Sequence, residues 1–216
     1  MFLELKRLYV PPGERVLLRD VSWQEFEEVL RELGDGRAAR LSYSYGVLEI
    51  MTPLPEHEKV KGLLGEFVRI IVDELGWECE PFGSTTFKSE RMDQGVEPDE
   101  SFYFQNTELV RGKDKIDLTV DPPPDLTIEV DITSRTRFDN YLLLGVPELW
   151  RYDGHRLQIN LLQEGVYLES KVSSIFPMLS LVDRIPEMIR PCKVLGRSAT
   201  VRAFRSWVRE QLNKAE

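Results

Sequence analysis

The sequence predicts a mixed α/β (α+β) domain in which a mixed β-sheet is flanked by helices and carries additional hairpins. Apolar residues recur at helical spacing over 57–75, side chains alternate strictly over 125–132, and two short segments have the pattern of β-hairpins. At 216 residues, 42% of them hydrophobic, the chain is long enough to bury one large core. We therefore expect residues 1–216 to form a single domain.

Three elements are predicted in the N-terminal part of the chain. Ser22 with Glu25 three residues later forms a capping box, and the apolar residues that follow it predict a helix over 22–33. Residues 39–53 alternate about a central Tyr-Gly pair, which is typical of a hairpin. The apolar periodicity over 57–75 ends at a glycine, which favours a helix stop there.

The middle and C-terminal parts contain further strands and two helices. Strand-like segments occur at 77–82, 84–88, 98–104 and 125–132. A short helix is predicted over 137–144, and a second hairpin follows, turning at Asp153 and Gly154. The last helix, over 198–212, is expected to place its apolar residues toward the core and its arginines toward solvent. These residues are Val201, Phe204 and Val208 on one face, and Arg202, Arg205 and Arg209 on the other.

The charge distribution is uneven along the chain. A net charge of −9 argues against strong non-specific attraction of nucleic acid by the whole surface. Residues 184–209 nevertheless contain seven basic side chains and one acid. Such a stretch permits a local anionic partner, but it is more often a solvated face or the counterpart of an acidic patch on the same chain.

Membrane and metal-thiolate classes of protein are disfavoured. No apolar run approaches the ~20 residues that span a bilayer, and the N-terminus lacks the features of a signal peptide, so we expect a cytoplasmic protein without a membrane partner. The two cysteines, Cys79 and Cys192, have neither CxxC spacing nor a nearby histidine. They are expected to be reduced thiols.

Acidic side chains interrupt two strands that otherwise look buried. Over 125–132 the apolar residues Leu126, Ile128, Val130 and Ile132 face one way, whereas Glu129 and Asp131 face the other, roughly 7 Å apart. Asp99 opens another predicted strand. If the two strands are neighbours, Asp99 and Glu129 converge, and a hard divalent cation is the natural partner for such oxygens. The alternative is that these acids line a solvated sheet face.

Two motifs resemble a known family. "EPD" at 97–99 followed by "PPPDLTIEV" at 122–130 resembles the Asp…Glu-x-Lys pattern of the PD-(D/E)xK nuclease superfamily. "YLLLGVPELWRYDG" at 141–154 is similar to the putative restriction endonuclease family of small bacterial proteins within it. The resemblance covers about 40–155, and it implies a restriction-endonuclease-like core to which the helices over 22–33 and 198–212 are additions.

The resemblance also implies an activity. Asp99 and Glu129 would bind Mg²⁺ (or Mn²⁺) and support hydrolysis of DNA phosphodiester bonds. DNA would be the partner, and a homodimer is expected because cleavage of both strands needs two sites. His57 stands where the family tends to have a histidine, so it is a candidate catalytic residue; a packing or capping role is the alternative.

One position departs from the pattern. The lysine of the family usually lies two residues after the glutamate, and here that residue is Asp131. Relatives often carry a lysine four residues before a tyrosine instead, which corresponds to Arg137 before Tyr141. Arg137 is either a group that stabilises charge on the phosphate, but cannot act as a base, or a simple partner for Glu129 or Asp131.

Three hypotheses follow. The first is a metal-dependent endonuclease acting on DNA. The second is a catalytically degenerate binding or interaction module with the same fold, in which the acids only keep the sheet face polar. The third is an unrelated sheet protein, which requires the similarity at 141–154 to be accidental.

Overall fold

The fold is described from a computed structural model over residues 7–34, 37–132 and 138–215. The helices are α1 Trp23–Leu33, α2 Pro55–Leu75, α3 Thr107–Val110, α4 Phe138–Leu144, α5 Leu181–Ile189, α6 Cys192–Leu195 and α7 Arg197–Ala215. The strands are β1 Arg15–Leu18, β2 Arg40–Ser44, β3 Val47–Met51, β4 Glu80–Pro81, β5 Phe87–Ser89, β6 Gln94–Val96, β7 Glu100–Tyr103, β8 Leu126–Val130, β9 Glu148–Tyr152, β10 Leu157–Gln163 and β11 Val166–Ser170.

The strands form two sheets. A six-stranded mixed sheet has the order β11-β10-β9-β8-β7-β4, with β8 and β9 parallel and α4 in the connection between them. A five-stranded antiparallel sheet has the order β1-β3-β2-β6-β5. The predicted mixed sheet flanked by helices is confirmed, and the first predicted hairpin, β2–β3, lies in the second sheet.

The local signals of the sequence operate as predicted. The Ser22 side chain accepts a hydrogen bond from the backbone of Glu25, and the Glu25 side chain accepts one from the backbone of Ser22, so the capping box at the start of α1 is complete. α2 ends at Gly76, which adopts the left-handed conformation that glycine tolerates best.

The main core lies between the six-stranded sheet and the helices α2, α5 and α7. Phe204 of α7 stacks on Phe67 of α2 with ring centroids 4.0 Å apart, and both side chains are fully buried. Val208 is also buried and Val201 is partly buried, whereas Arg202 and Arg209 are exposed and Arg205 is partly exposed. The predicted phase of the C-terminal helix is therefore confirmed.

The basic C-terminal segment faces an acidic part of the same chain. Arg205 and Arg209 bind the carboxylate of Glu74 on α2, each at 2.6 Å. Arg197 lies 2.5 Å from Glu66. Both acids of these ion pairs, Glu66 and Glu74, therefore belong to α2. Much of the charge asymmetry seen in the sequence is consequently internal, and we do not assign a nucleic-acid contact to this surface.

Several elements were absent from the sequence prediction. β1, β6 and β11 are three to five residues long, too short for an alternating pattern to stand out from the adjoining turns. α5 contains Pro186, which normally argues against a helix interior. Within the described ranges, none of the helices combines the length and the apolar composition needed to cross a membrane.

Candidate active site

Pairing of β7 with β8 brings the two predicted metal ligands to the same level of the sheet. Glu100 lies opposite Ile128, so Asp99, one residue before β7, is level with Glu129. Asp99 is only 3% exposed, and its Oδ2 accepts a hydrogen bond of 2.8 Å from the backbone N–H of Val130. The apolar face is as predicted: Leu126, Ile128 and Val130 are buried and Ile132 is partly buried.

His57 lies between two carboxylates. It sits in the first turn of α2, is 1% exposed, and its Nε2 lies 3.1 Å from Asp99 Oδ2. Its Nδ1 lies 3.4 Å from Glu58 Oε1, but no group of the described residues forms a hydrogen bond with this nitrogen. A buried imidazole nitrogen without a hydrogen-bond partner is costly unless something else binds it.

Together these residues form a compact set of potential ligands. One atom each from His57, Glu58 and Asp99 lies within 4.8 Å of the other two. Asp99 and Glu58 offer carboxylate oxygens, and His57 offers a nitrogen. This mixed set of donors suits Mn²⁺, and its carboxylate oxygens also suit Mg²⁺. The unpartnered Nδ1 of His57 and this donor set fit a divalent ion.

Glu129 is held by a tyrosine at the edge of this cluster. Tyr141 of α4 donates its hydroxyl to Glu129 Oε1. Burial, and then the negative charge of Asp99, raise the pKa of Glu129 well above its usual value, which the hydrogen bond from Tyr141 only partly opposes. Burial and the neighbouring Glu129 likewise raise the pKa of Tyr141. A positive charge placed between the carboxylates of Asp99 and Glu129 would stabilise their ionised forms.

Two basic side chains supply positive charge near the acids. Arg40, the first residue of β2, approaches Asp99 Oδ1 at 3.7 Å and Glu58 Oε1 at 3.4 Å. Lys61, one helical turn after His57, lies 3.7 Å from Glu58 Oε2. Arg40, Glu58 and Lys61 all line a cleft of about 500 Å³. Glu58 is thus the member of the ligand cluster that lines the cleft, and an anionic group bound there would meet two cations.

Asp131, at the position of the missing lysine, has an electrostatic partner of its own. It forms an ion pair with Arg151 of β9, and both side chains are almost completely buried. The Arg151 guanidinium also lies 4.6 Å from the centre of the Phe138 ring. Asp131 is thus part of a structural pair between neighbouring strands, which accounts for an acid on this face without a metal.

Glu97, the first residue of the "EPD" motif, is a structural residue. Its carboxylate accepts hydrogen bonds from the backbone N–H of Leu41 at 2.9 Å and from the Thr86 hydroxyl at 2.7 Å, and it pairs with Arg37. These contacts attach the segment before Asp99 to β2. Glu97 therefore positions Asp99 rather than offering a further ligand.

The structure brings some predicted site residues together and adds others. His57 and Asp99 lie together, and Glu129 is level with Asp99 in the pairing of β7 with β8 but is not a member of the His57–Glu58–Asp99 cluster. Arg137 lies outside the described residues. Sequence reasoning missed Glu58, Arg40 and Lys61. The spacing of His57 and Lys61 by four positions on a predicted helix could have indicated Lys61, but Arg40 comes from the other sheet and gives no local signal. The assignment of Asp99 and Glu129 as metal ligands stays a prediction.

Comparisons with known proteins agree with the motifs. The family model of Uma2, described as "Putative restriction endonuclease", matches residues 23–194. A crystal structure of a putative nuclease belonging to DUF820 from Anabaena variabilis superposes with a TM-score of 0.51 at 17% identity, covering 87% of this chain and 99% of that one. The search among curated proteins finds no match. Because the family model spans most of the sequence and the fold agrees, the chain belongs to the Uma2 family of putative restriction endonucleases.

Proposed function

We propose that this protein is a metal-dependent endonuclease that hydrolyses phosphodiester bonds in DNA. The observation that carries the proposal is the His57–Glu58–Asp99 cluster, whose atoms lie within 4.8 Å of one another beside a cleft that contains Arg40 and Lys61. Membership of a family described as putative restriction endonucleases supports the same reaction class.

The ligand set proposed for Mg²⁺ or Mn²⁺ is Asp99 and Glu129, with His57 and Glu58 as additional donors. The chemistry supplied by such an ion is a lowered pKa of bound water and neutralisation of charge on the phosphate. Asp99 is held in place for this task by Val130, and Glu129 by Tyr141. The carboxylates need no chemical change during the reaction.

The basic residues of the cleft have a separate role. Arg40 and Lys61 would bind the nonbridging oxygens of the scissile phosphate and stabilise the charge that grows on them during attack. They would then replace the lysine that Asp131 displaces. Arg137 is proposed as a further electrostatic group, and Arg137→Lys should keep more activity than Arg137→Ala.

The experiment is a cleavage assay on supercoiled plasmid DNA with Mg²⁺, with Mn²⁺ and with EDTA. We expect cleavage with either ion, none with EDTA, and a loss of at least about 100-fold in Asp99→Asn. Asp183→Asn is the matched control, because Asp183 is an exposed aspartate on α5. Failure of wild-type protein to cut any DNA with either ion, together with unchanged metal binding in Asp99→Asn, would refute the proposal.

A second candidate is the non-catalytic module. It is favoured by the Asp131–Arg151 ion pair, because the position that usually carries the family's lysine has a structural role here. In that case the protein would bind DNA without cutting it under any metal condition.

A homodimer is proposed for cleavage of both strands. Sedimentation velocity on the purified protein measures its mass directly. A dimer mass in solution supports double-strand cutting by paired sites, and a monomer at all concentrations predicts nicked rather than linear plasmid.

A further inference from the structure

A second cleft continues from the one at the candidate active site. It encloses about 730 Å³ between the end of α1, the segment before β5, and residues 114–116. The two clefts share Arg37 and Ser84 as lining residues, so they form adjoining parts of one groove. Glu58 of the ligand cluster lines the end of this groove nearest the proposed reaction centre.

The charge of this groove is opposite to that of the protein. Its two parts are lined by six basic and four acidic side chains, whereas the chain carries a net charge of −9. The basic residues are Arg31, Arg37, Arg40, Lys61, Lys88 and Lys115. A groove with a net positive charge attracts a polyanion to that part of a protein whose net charge is negative.

Among the described residues, two of these cations have no acidic partner. Three of the four groove acids pair within the groove: Glu27 with Lys88 at 2.5 Å, Glu97 with Arg37, and Glu58 with Lys61 and Arg40. The fourth, Asp114, is exposed and has no basic group at ion-pair distance among the described residues. Arg31 and Lys115 are exposed and form no ion pair within the described part of the chain. They are available to an external anion.

The groove also offers a neutral hydrogen-bond donor. Ser84, which lines both of its parts, is exposed, whereas the neighbouring Thr85 and Thr86 hydroxyls already donate to the Phe82 carbonyl and to Glu97. Hydroxyl groups beside arginine and lysine are the usual contacts to phosphate oxygens and sugars of nucleic acid. Among the described lining residues of the groove, Phe82 is the one aromatic side chain. Binding of single-stranded nucleic acid by stacking of unpaired bases is therefore not favoured.

From these observations we infer that the groove around Arg31 and Lys115 binds the phosphate backbone of duplex DNA beyond the scissile bond. This inference rests on the proposed function, because it assigns the flanking substrate to the groove that ends at the proposed reaction centre. Arg31 and Lys115 would each contact a phosphate without reading base sequence. Binding would therefore be salt-dependent and tolerant of sequence.

The test measures binding without cleavage. Fluorescence anisotropy of a fluorescein-labelled DNA duplex is followed in EDTA over a range of salt concentrations. The variant is Arg31→Ala/Lys115→Ala, and the matched control is Lys171→Ala/Arg202→Ala, which removes two exposed basic residues that line neither cleft. Both double variants change the net charge equally, so a difference between them reports position rather than overall charge.

We expect the groove variant to bind at least about 10-fold more weakly and its salt slope to fall by about 2, since each phosphate contact contributes about 0.9. The control should stay within about 2-fold of wild type. Equal weakening of both variants, no duplex binding by wild type, or tighter binding of an RNA duplex of the same sequence would each overturn the inference. Groove-dependent binding without cleavage under any metal would refute the proposed function alone, and cleavage unaffected by the groove variant would refute the inference alone.

Discussion

The carboxylate of Asp99 accepts a hydrogen bond of 2.8 Å from the backbone N–H of Val130, so the proposed metal ligand also attaches the segment before β7 to the end of β8. One residue thus serves the site and the sheet. Substitutions that remove the charge and substitutions that remove the acceptor should consequently have separable effects.

Asp99→Asn should keep this hydrogen bond, because its amide oxygen can accept from Val130, while Asp99→Ala leaves a buried N–H without an acceptor. We expect Asp99→Ala to lose roughly 1–3 kcal/mol of unfolding free energy and Asp99→Asn clearly less. Both should lose Mn²⁺ binding. Urea unfolding and titration calorimetry measure the two properties, and equal stability of the two variants would show that the Val130 contact carries no energy.

Glu129→Gln should stabilise the protein at alkaline pH. Burial and Asp99 raise the pKa of Glu129, so the folded state binds a proton more tightly than the unfolded state. Stability from this group is fully present below the ordinary value of 4.5 and is lost as pH rises through the higher folded value. Glutamine keeps the acceptor for Tyr141 and carries no charge.

The melting temperature of Glu129→Gln relative to wild type should therefore increase as pH rises above 4.5. Glu210→Gln, an exposed substitution on α7, is the control and should show no such trend. A constant difference at all pH values would mean that Glu129 is not desolvated in solution.

Lys61→Met should reduce the rate of DNA cleavage by about 100-fold at saturating metal, because it removes a cation from the cleft without removing a ligand. Lys59→Met is the control, since Lys59 is an exposed lysine on the same helix. Metal affinity measured by calorimetry should be unchanged in both. Full activity of Lys61→Met would exclude this lysine from the reaction.

Asp131→Lys restores the family pattern in the sequence but should destabilise this fold. The new ammonium would be buried beside Arg151, and loss of one partner of a buried ion pair costs about 3–5 kcal/mol. The charge-swapped variant Asp131→Lys/Arg151→Glu should recover part of that loss. Chemical denaturation of the single and double variants tests this, and a single variant as stable as wild type would contradict the pairing.

Phe204→Ala should lower the unfolding free energy by about 3–5 kcal/mol, because it opens a cavity against Phe67 where α7 packs on α2. Arg202→Ala, on the exposed face of the same helix, should change it by no more than about 0.5 kcal/mol. Comparable losses in the two variants would mean that α7 does not turn Phe204 toward the core and Arg202 toward solvent.

The sequence by itself determined the elements that local interactions specify. α2, the capping box at Ser22, the hairpin at Asp153–Gly154 and the alternation through Glu129 were all predictable, because helical periodicity, caps and turns depend on residues a few positions apart. The short strands β1, β6 and β11 were not, since three to five residues carry too little periodic information.

Only the tertiary structure decided how the site is assembled. His57 meets Asp99 because α2 packs across the sheet, and Arg40 reaches Asp99 from a strand of the other sheet. Asp131 finds Arg151 through the parallel pairing of β8 with β9. These contacts join residues far apart in the chain, and their geometry follows from how buried surfaces pack against one another. That packing depends on the whole core, whereas a motif records only residue types and spacing.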